Sequence, residues 1–142
     1  MPDVHEFFNR QHEKLGRIET SIVRTRTDLE AARNETMASL KTKRDKAAAS
    51  RKSFEKNMSD SWSNMKSGMD ARREETDARI EEWKQKREFN KLEKRAENLE
   101  NYADSAMTVL DLAQEEARAA TLEAIEARRQ AQEVKQAVGA KA

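Results

Sequence analysis

The chain has 142 residues, a formal net charge of +1 and no cysteine. The missing cysteine excludes disulfides and thiolate metal sites, and the balanced charge indicates neither nucleic acid nor an anionic membrane as a partner. Charged residues make up 39% of the chain and aromatic residues 5%, whereas globular domains carry about a quarter charged residues. With three glycines and one proline, the composition predicts long helices that bury narrow apolar stripes.

The N-terminal segment contains acidic residues and no long apolar run, and no window of the sequence approaches a membrane span. We therefore expect a soluble, cytoplasmic protein. Asp3 and Glu6 form a weak capping box, and an apolar stripe then runs through Leu15, Ile18, Ile22, Leu29 and Leu40. This stripe predicts a long amphipathic helix over 1–89, although Thr25, Arg33 and Thr36 interrupt its phase.

The segment 41–56, called the basic segment below, has almost no apolar stripe. It carries seven lysines or arginines against two acids. We interpret it as a solvated helical segment, and the alternative is an anion-binding patch. The residues of that possible patch are Lys41, Lys43, Arg44, Lys46, Arg51 and Lys52.

The apolar stripe returns further along, where we call it the facing stripe. Its members are Phe54, Met58, Trp62, Met65, Met69, Ile80 and Trp83. Segment 59–68 is rich in Ser, Asn, Asp and Gly, which weaken helices. The stripe nevertheless keeps helical phase across 59–68, which favours a continuous or kinked helix over a turn.

The last part of the chain carries the clearest pattern, an apolar residue at alternating spacings of four and three over 92–138. Asn90 and Glu93 predict a helix cap before it, and Gly139 predicts a stop after it. Such a heptad seam predicts one helix over 90–138 with a partner along its length, followed by a frayed tail at 139–142. The seam consists of Leu92, Ala96, Leu99, Ala103, Ala106, Leu110, Ala113, Ala117, Ala120, Ala124, Ala127, Ala131, Val134 and Val138.

Nine of these fourteen residues are alanine, so a partner helix can approach closely while each contact buries little area. A second apolar set, which includes Leu112, Leu122 and Ile125, lies off the heptad line. One neighbouring helix cannot cover both sides. The helix should therefore belong to a bundle of at least three helices, formed by folding or by dimerisation.

Together these patterns predict an all-α fold in a single elongated domain over 1–142. It is either an antiparallel helical hairpin that turns near Asn90 or, if 59–68 is a turn, a three-helix coiled-coil-like bundle. In either form we expect homodimerisation to complete the bundle. An antiparallel hairpin places 97–126, with eight acids against one arginine, roughly opposite 54–83. The basic segment would then lie beside 124–139.

Motifs for chemistry are missing from the sequence. His5 and His12, each followed by glutamate, lie seven residues apart, which is about 10 Å along a helix and too far to share one metal ion. No nucleophile triad or phosphate-binding loop is present. We therefore predict no catalytic residues, no metal and no cofactor, and a protein that is not an enzyme.

The sequence best fits a coiled-coil scaffold or adaptor that acts by helix–helix association. Its partners would be a second copy of the chain, with a dimer favoured, and an unidentified protein. The alternative is a peripheral protein of lipid or granule surfaces, because 1–90 is amphipathic, polar, rich in Lys and Arg, and carries Phe, Trp and Met on its apolar side. In pattern alone, this part resembles exchangeable lipid-binding helices and the phasins that coat storage granules.

Overall fold

The structure is a computed structural model that describes residues 4–49, 54–73 and 75–141. These residues form five α-helices and no strand, which confirms the all-α prediction. The helices are α1 (Val4–Ala31), α2 (Met37–Ala49), α3 (Phe54–Arg72), α4 (Asp77–Gln85) and α5 (Phe89–Lys141).

The structure differs from the prediction of one helix over 1–89, because the described part of this range forms four helices. The break after α1 ends at Thr36, whose hydroxyl accepts a hydrogen bond from the Ser39 amide (3.1 Å) and caps α2. The break before α4 ends at Thr76, which accepts from the Arg79 amide in the same way (3.2 Å). A threonine hydroxyl satisfies an amide that lacks a helical partner, so it starts a helix without glycine or proline.

The turn predicted near Asn90 lies at 86–88. The Arg87 amide donates to Lys84 O and the Glu88 amide donates to Trp83 O, which is the Schellman pattern of a helix C-terminus. Arg87 has φ 53°, a left-handed conformation that this motif usually assigns to glycine. Asn90 therefore lies inside the first turn of α5, and α5 continues past Gly139 to Lys141.

The chain divides into two compact units. Unit 1 contains the described residues of Met1–Gly16 and Glu55–Asp111, and unit 2 those of Arg17–Phe54 and Leu112–Ala142. Each unit is described by itself below.

In unit 1, α3 runs antiparallel to the first part of α5. Gly68 lies against Tyr102, and further along Glu75 lies 3.5 Å from the Arg95 guanidinium. A Cβ atom at Gly68 would lie 2.6 Å from Tyr102 Cδ2 and 3.0 Å from Tyr102 Cβ. The absence of a side chain at Gly68 therefore permits this close contact. The segment 59–68, for which the sequence left a turn open, lies inside α3.

In unit 2, α1 runs parallel to α5 and α2 runs antiparallel to both. The buried apolar residues are Ile18 and Ala32 from α1 and the following turn, Leu40 and Ala47 from α2, and Ala119 and Leu122 from α5. Leu40 is 0% exposed and Leu122 is 2% exposed. This core is narrow, as the low content of bulky apolar residues predicts.

Candidate association surface

The heptad seam of α5 lies on the solvent-facing side of unit 2. Ala119, Leu122 and Glu126 are buried at 1%, 2% and 3% exposure, and they mark the face of α5 that packs. Successive helical residues are about 100° apart, so residues two positions from Leu122, such as Ala120 and Ala124, point the opposite way.

Eight seam residues of unit 2 are all exposed, and we call them the exposed seam. They are Ala113, Ala117, Ala120, Ala124, Ala127, Ala131, Val134 and Val138. The second apolar set, through Ala119 and Leu122, therefore supplies buried residues of α5 in unit 2, whereas the exposed seam faces solvent.

The seam residues of unit 1 have a different environment. Leu92, Leu99, Ala103 and Ala106 are half-buried, and Ala96 and Leu110 are exposed. This part of the seam is thus partly covered within its own unit, and the eight residues in unit 2 are the better candidates for an external contact.

The C-terminal end of α5 lacks lateral support. Every residue from 131 to 139 is exposed, and Val134 and Val138 are 64% and 63% exposed. Short helices without tertiary packing are marginally stable in water. A partner that covers Val134 and Val138 would therefore stabilise this end of the helix.

Two open grooves border the exposed seam in unit 2. The groove between α1 and α5 has a volume of about 700 Å³ and is lined by Leu29, Ala32, Arg33, Thr121, Ala124, Ile125, Arg128 and Arg129. The groove between α2 and α5 has a volume of about 380 Å³ and is lined by Arg44, Ala48, Glu123, Glu126, Ala127 and Gln130. Arg128 and Glu123 therefore lie at opposite edges of the exposed seam.

Polar contacts hold the packed face of α5 in unit 2. Arg118 donates two hydrogen bonds to Asp28 (3.1 and 3.0 Å), and Arg129 donates to the backbone carbonyls of Ala32 and Glu35. The Arg129 contacts place a cation on two carbonyls of the turn between α1 and α2. These contacts fix the register of α5 against α1.

Glu126, which is buried at 3% exposure, forms an ion pair with Arg44, whose Nη1 lies 2.8 Å from Glu126 Oε1. The hydrogen bond to Asp45, with the charges of Asp45 and Glu126, raises the pKa of the Arg44 guanidinium above its ordinary value. Sequence reasoning counted Glu126 in a surface acidic block. Its position seven residues after Ala119 and four after Leu122 was the signal that it lies on the packed face.

In unit 1, the Asp104 carboxylate accepts hydrogen bonds from side chains of α1. Arg10 donates two hydrogen bonds to its carboxylate (3.3 and 3.1 Å), Gln11 donates another, and Lys14 lies 3.4 Å away. Burial raises the pKa of Asp104, but the Arg10 hydrogen bond and the charges of Lys14 and Arg10 outweigh burial and leave the pKa below its ordinary value. The cluster anchors α1 to α5 in unit 1.

The facing stripe is mainly half-buried. Phe54, Met58, Met65, Ile80 and Trp83 are half-buried, whereas Trp62 and Met69 are exposed. Lys91 Nζ lies 6.0 Å from the Trp83 ring centroid. The prediction that this stripe fills the space left by the seam alanines stays a prediction.

The cations of the proposed anion patch have different environments in the structure. Lys43 pairs with Asp28 and Glu35, and Arg44 pairs with Asp45 and Glu126. Lys41 and Lys46 are exposed, and Arg51 and Lys52 lie outside the described residues. Two of its four described cations therefore already contact carboxylates of the chain, and anion binding stays an alternative interpretation.

His5 and His12 are exposed, and His12 stacks on Phe8 with ring centroids 6.0 Å apart. Within the ranges that the structure describes, no group of three or more possible ligands is arranged to hold a metal ion. The described helices also include none that is long and apolar enough to span a bilayer.

No protein-family model matches the sequence, and neither the curated proteins nor the solved structures include a significant match.

Proposed function

We propose that this protein acts by helix–helix association, as a non-enzymatic scaffold or adaptor, and that a second copy of the chain binds the exposed seam. The observation that carries the proposal is the solvent exposure of a continuous heptad seam on the face of α5 opposite Leu122. Apolar heptads with small residues are typical of helices in close contact with another helix. The bundle predicted from the sequence would then be completed between two chains.

The expected affinity is moderate. A buried alanine methyl group contributes about 0.8 kcal/mol, while association costs about 4–15 kcal/mol in lost freedom of motion. A seam of six alanines and two valines therefore suits a reversible dimer rather than a permanent one.

The test compares two variants that add the same charge to unit 2. Ala117→Glu with Ala120→Glu places two carboxylates on the exposed seam, whereas the control, Ala31→Glu with Ala38→Glu, places them at exposed positions on α1 and α2. We expect the seam variant to sediment as a monomer with unchanged helicity, and the control to sediment as the wild type does. Equal masses for the two variants and the wild type at every concentration would refute the proposal.

The second candidate, binding to a lipid surface, has one observation in its favour. Helix α1 exposes large apolar side chains in each unit: Val4, Phe8 and Leu15 in unit 1, and Ile22, Val23 and Leu29 in unit 2. Exposed aromatic and aliphatic side chains insert into the boundary between lipid headgroups and acyl chains. Co-sedimentation with phosphatidylglycerol vesicles that Phe8→Gln weakens, and that the two seam substitutions leave unchanged, would favour this function.

A further inference from the structure

The two edges of the exposed seam carry opposite charge. In heptad terms, Ala117 and Ala124 occupy a positions, and Ala120 and Ala127 occupy d positions. Glu116 and Glu123 then occupy g positions along one edge, and Arg128 and Lys135 occupy e positions along the other. The structure agrees for the two central residues, because Glu123 lines the groove on the α2 side and Arg128 lines the groove on the α1 side.

This pattern distinguishes the two directions in which a second copy can bind. In a parallel, in-register pair, each g residue meets the e residue five positions later on the other helix. Glu123 then meets the partner subunit's Arg128, and Gln130 meets the partner subunit's Lys135. Two-fold symmetry forms each contact twice.

An antiparallel pair lacks these contacts. There, g residues meet g residues and e residues meet e residues. In the antiparallel register that overlaps the whole exposed seam, Glu123 lies beside the partner subunit's Gln130, and Arg128 beside the partner subunit's Thr121. Acidic residues in the first half of the seam would attract basic residues in the second half only at long range. At physiological salt such attraction is screened beyond about 8 Å, so the direct contacts decide the direction.

We propose that the second copy binds the exposed seam in parallel and in register, with the direction set by Glu123 and the partner subunit's Arg128. This inference rests on the proposed self-association. The occupant of the exposed seam is then the α5 helix of an identical chain, because the acidic edge of one copy meets the basic edge of the other.

The first experiment reverses the charges. Glu123→Lys brings two lysines against two arginines across the parallel interface, and we expect the dissociation constant to rise about tenfold. Arg128→Glu should have a similar effect. Carrying both substitutions on one chain restores two opposite-charge contacts and should return the dissociation constant to within about threefold of wild type. If the double variant loses as much binding free energy as its two single variants lose together, the parallel arrangement is overturned.

The second experiment uses the absence of cysteine in the chain. Ala120→Cys and Val134→Cys place single thiols at d positions that are exposed in the structure. In a parallel, in-register dimer each residue faces its own copy, so each variant should form a disulfide-linked dimer under mild oxidation. In an antiparallel seam, residue 120 and its copy lie about 16 Å apart along the axis, beyond the roughly 7 Å limit between Cα atoms of a disulfide.

The outcomes separate this inference from the function on which it rests. Cross-linking of each single-cysteine variant with itself supports the parallel register. A dimeric mass with cross-links only in mixtures, such as Ala120→Cys with Ala131→Cys, overturns the parallel register and leaves self-association standing. A monomeric mass with no cross-link in any combination overturns both.

Discussion

Gly16→Ala in α1 and Gly68→Ala in α3 should change the free energy of unfolding in opposite directions. Both positions are helical, so alanine should gain about 1 kcal/mol of helix propensity at each. At Gly16 the added Cβ meets, beyond its chain neighbours and the local backbone of α1, no atom of the described residues within 4 Å, and we expect Gly16→Ala to stabilise the protein by about 1 kcal/mol. At Gly68 the added Cβ lies 2.6 Å from Tyr102 Cδ2 and 3.0 Å from Tyr102 Cβ.

The 3.0 Å distance to Tyr102 Cβ decides whether Gly68→Ala stabilises or destabilises the protein. Tyr102 can rotate its ring, but its Cβ atom moves only if the α5 backbone moves. Overpacking of this kind costs about 1–3 kcal/mol, which exceeds the gain in propensity, so Gly68→Ala should destabilise unit 1 by about 1 kcal/mol. Urea denaturation followed by far-ultraviolet circular dichroism measures both variants.

A second variant background tests whether Tyr102 causes the loss of stability expected for Gly68→Ala. Tyr102→Gly removes both the ring and the Cβ atom, and in that background Gly68→Ala should stabilise the protein as Gly16→Ala does. The reasoning is refuted if Gly68→Ala stabilises the otherwise wild-type protein, or if its effect is the same in both backgrounds.

Three further predictions concern local features of the two units. Arg87→Gly should stabilise the protein by about 1 kcal/mol in urea denaturation, because glycine adopts the left-handed conformation at φ 53° without a side-chain clash; Arg87→Ala, the control, should not. Asp104→Asn should lower the free energy of unfolding by about 1 kcal/mol at neutral pH. The depressed pKa of Asp104 means that its contribution is present above the unfolded-state value of about 3.9 and is lost as pH falls through the folded-state pKa, so the wild type and the variant should converge in acid; a difference that persists there would contradict the assignment. Arg44→Leu should lower the free energy of unfolding because it leaves the buried Glu126 carboxylate without its cation, with the hydrogen bond from Gln130 still present. Adding Glu126→Leu should recover most of that loss, and no recovery would show that the pair itself is not the cause.

The bounds of a helix could be predicted where the heptad pattern was uninterrupted. Helix α5 follows closely the range predicted from the seam, since nothing in 92–138 competes with helix formation. The breaks in 1–89 could not be located because Thr36 and Thr76, rather than glycine or proline, mark the starts of α2 and α4. The turn before α5 could not be located at 86–88, because its left-handed residue is Arg87 and this conformation is rare for a residue with a side chain.

The candidate site was predictable in its residues but not in its environment. The heptad seam and the second apolar set were both visible in the sequence, yet either could have faced the core. The choice depends on Arg118, Arg129 and Glu126, whose partners are about 80 to 100 residues away in the chain. Contacts over such separations leave no periodic signal.

Sedimentation equilibrium of the wild-type chain over a range of concentrations tests the central claim most directly. If the exposed seam binds a second copy, the weight-average mass should rise from that of one chain to that of two and reach a plateau there. A mass of one chain at every concentration into the millimolar range would contradict the account.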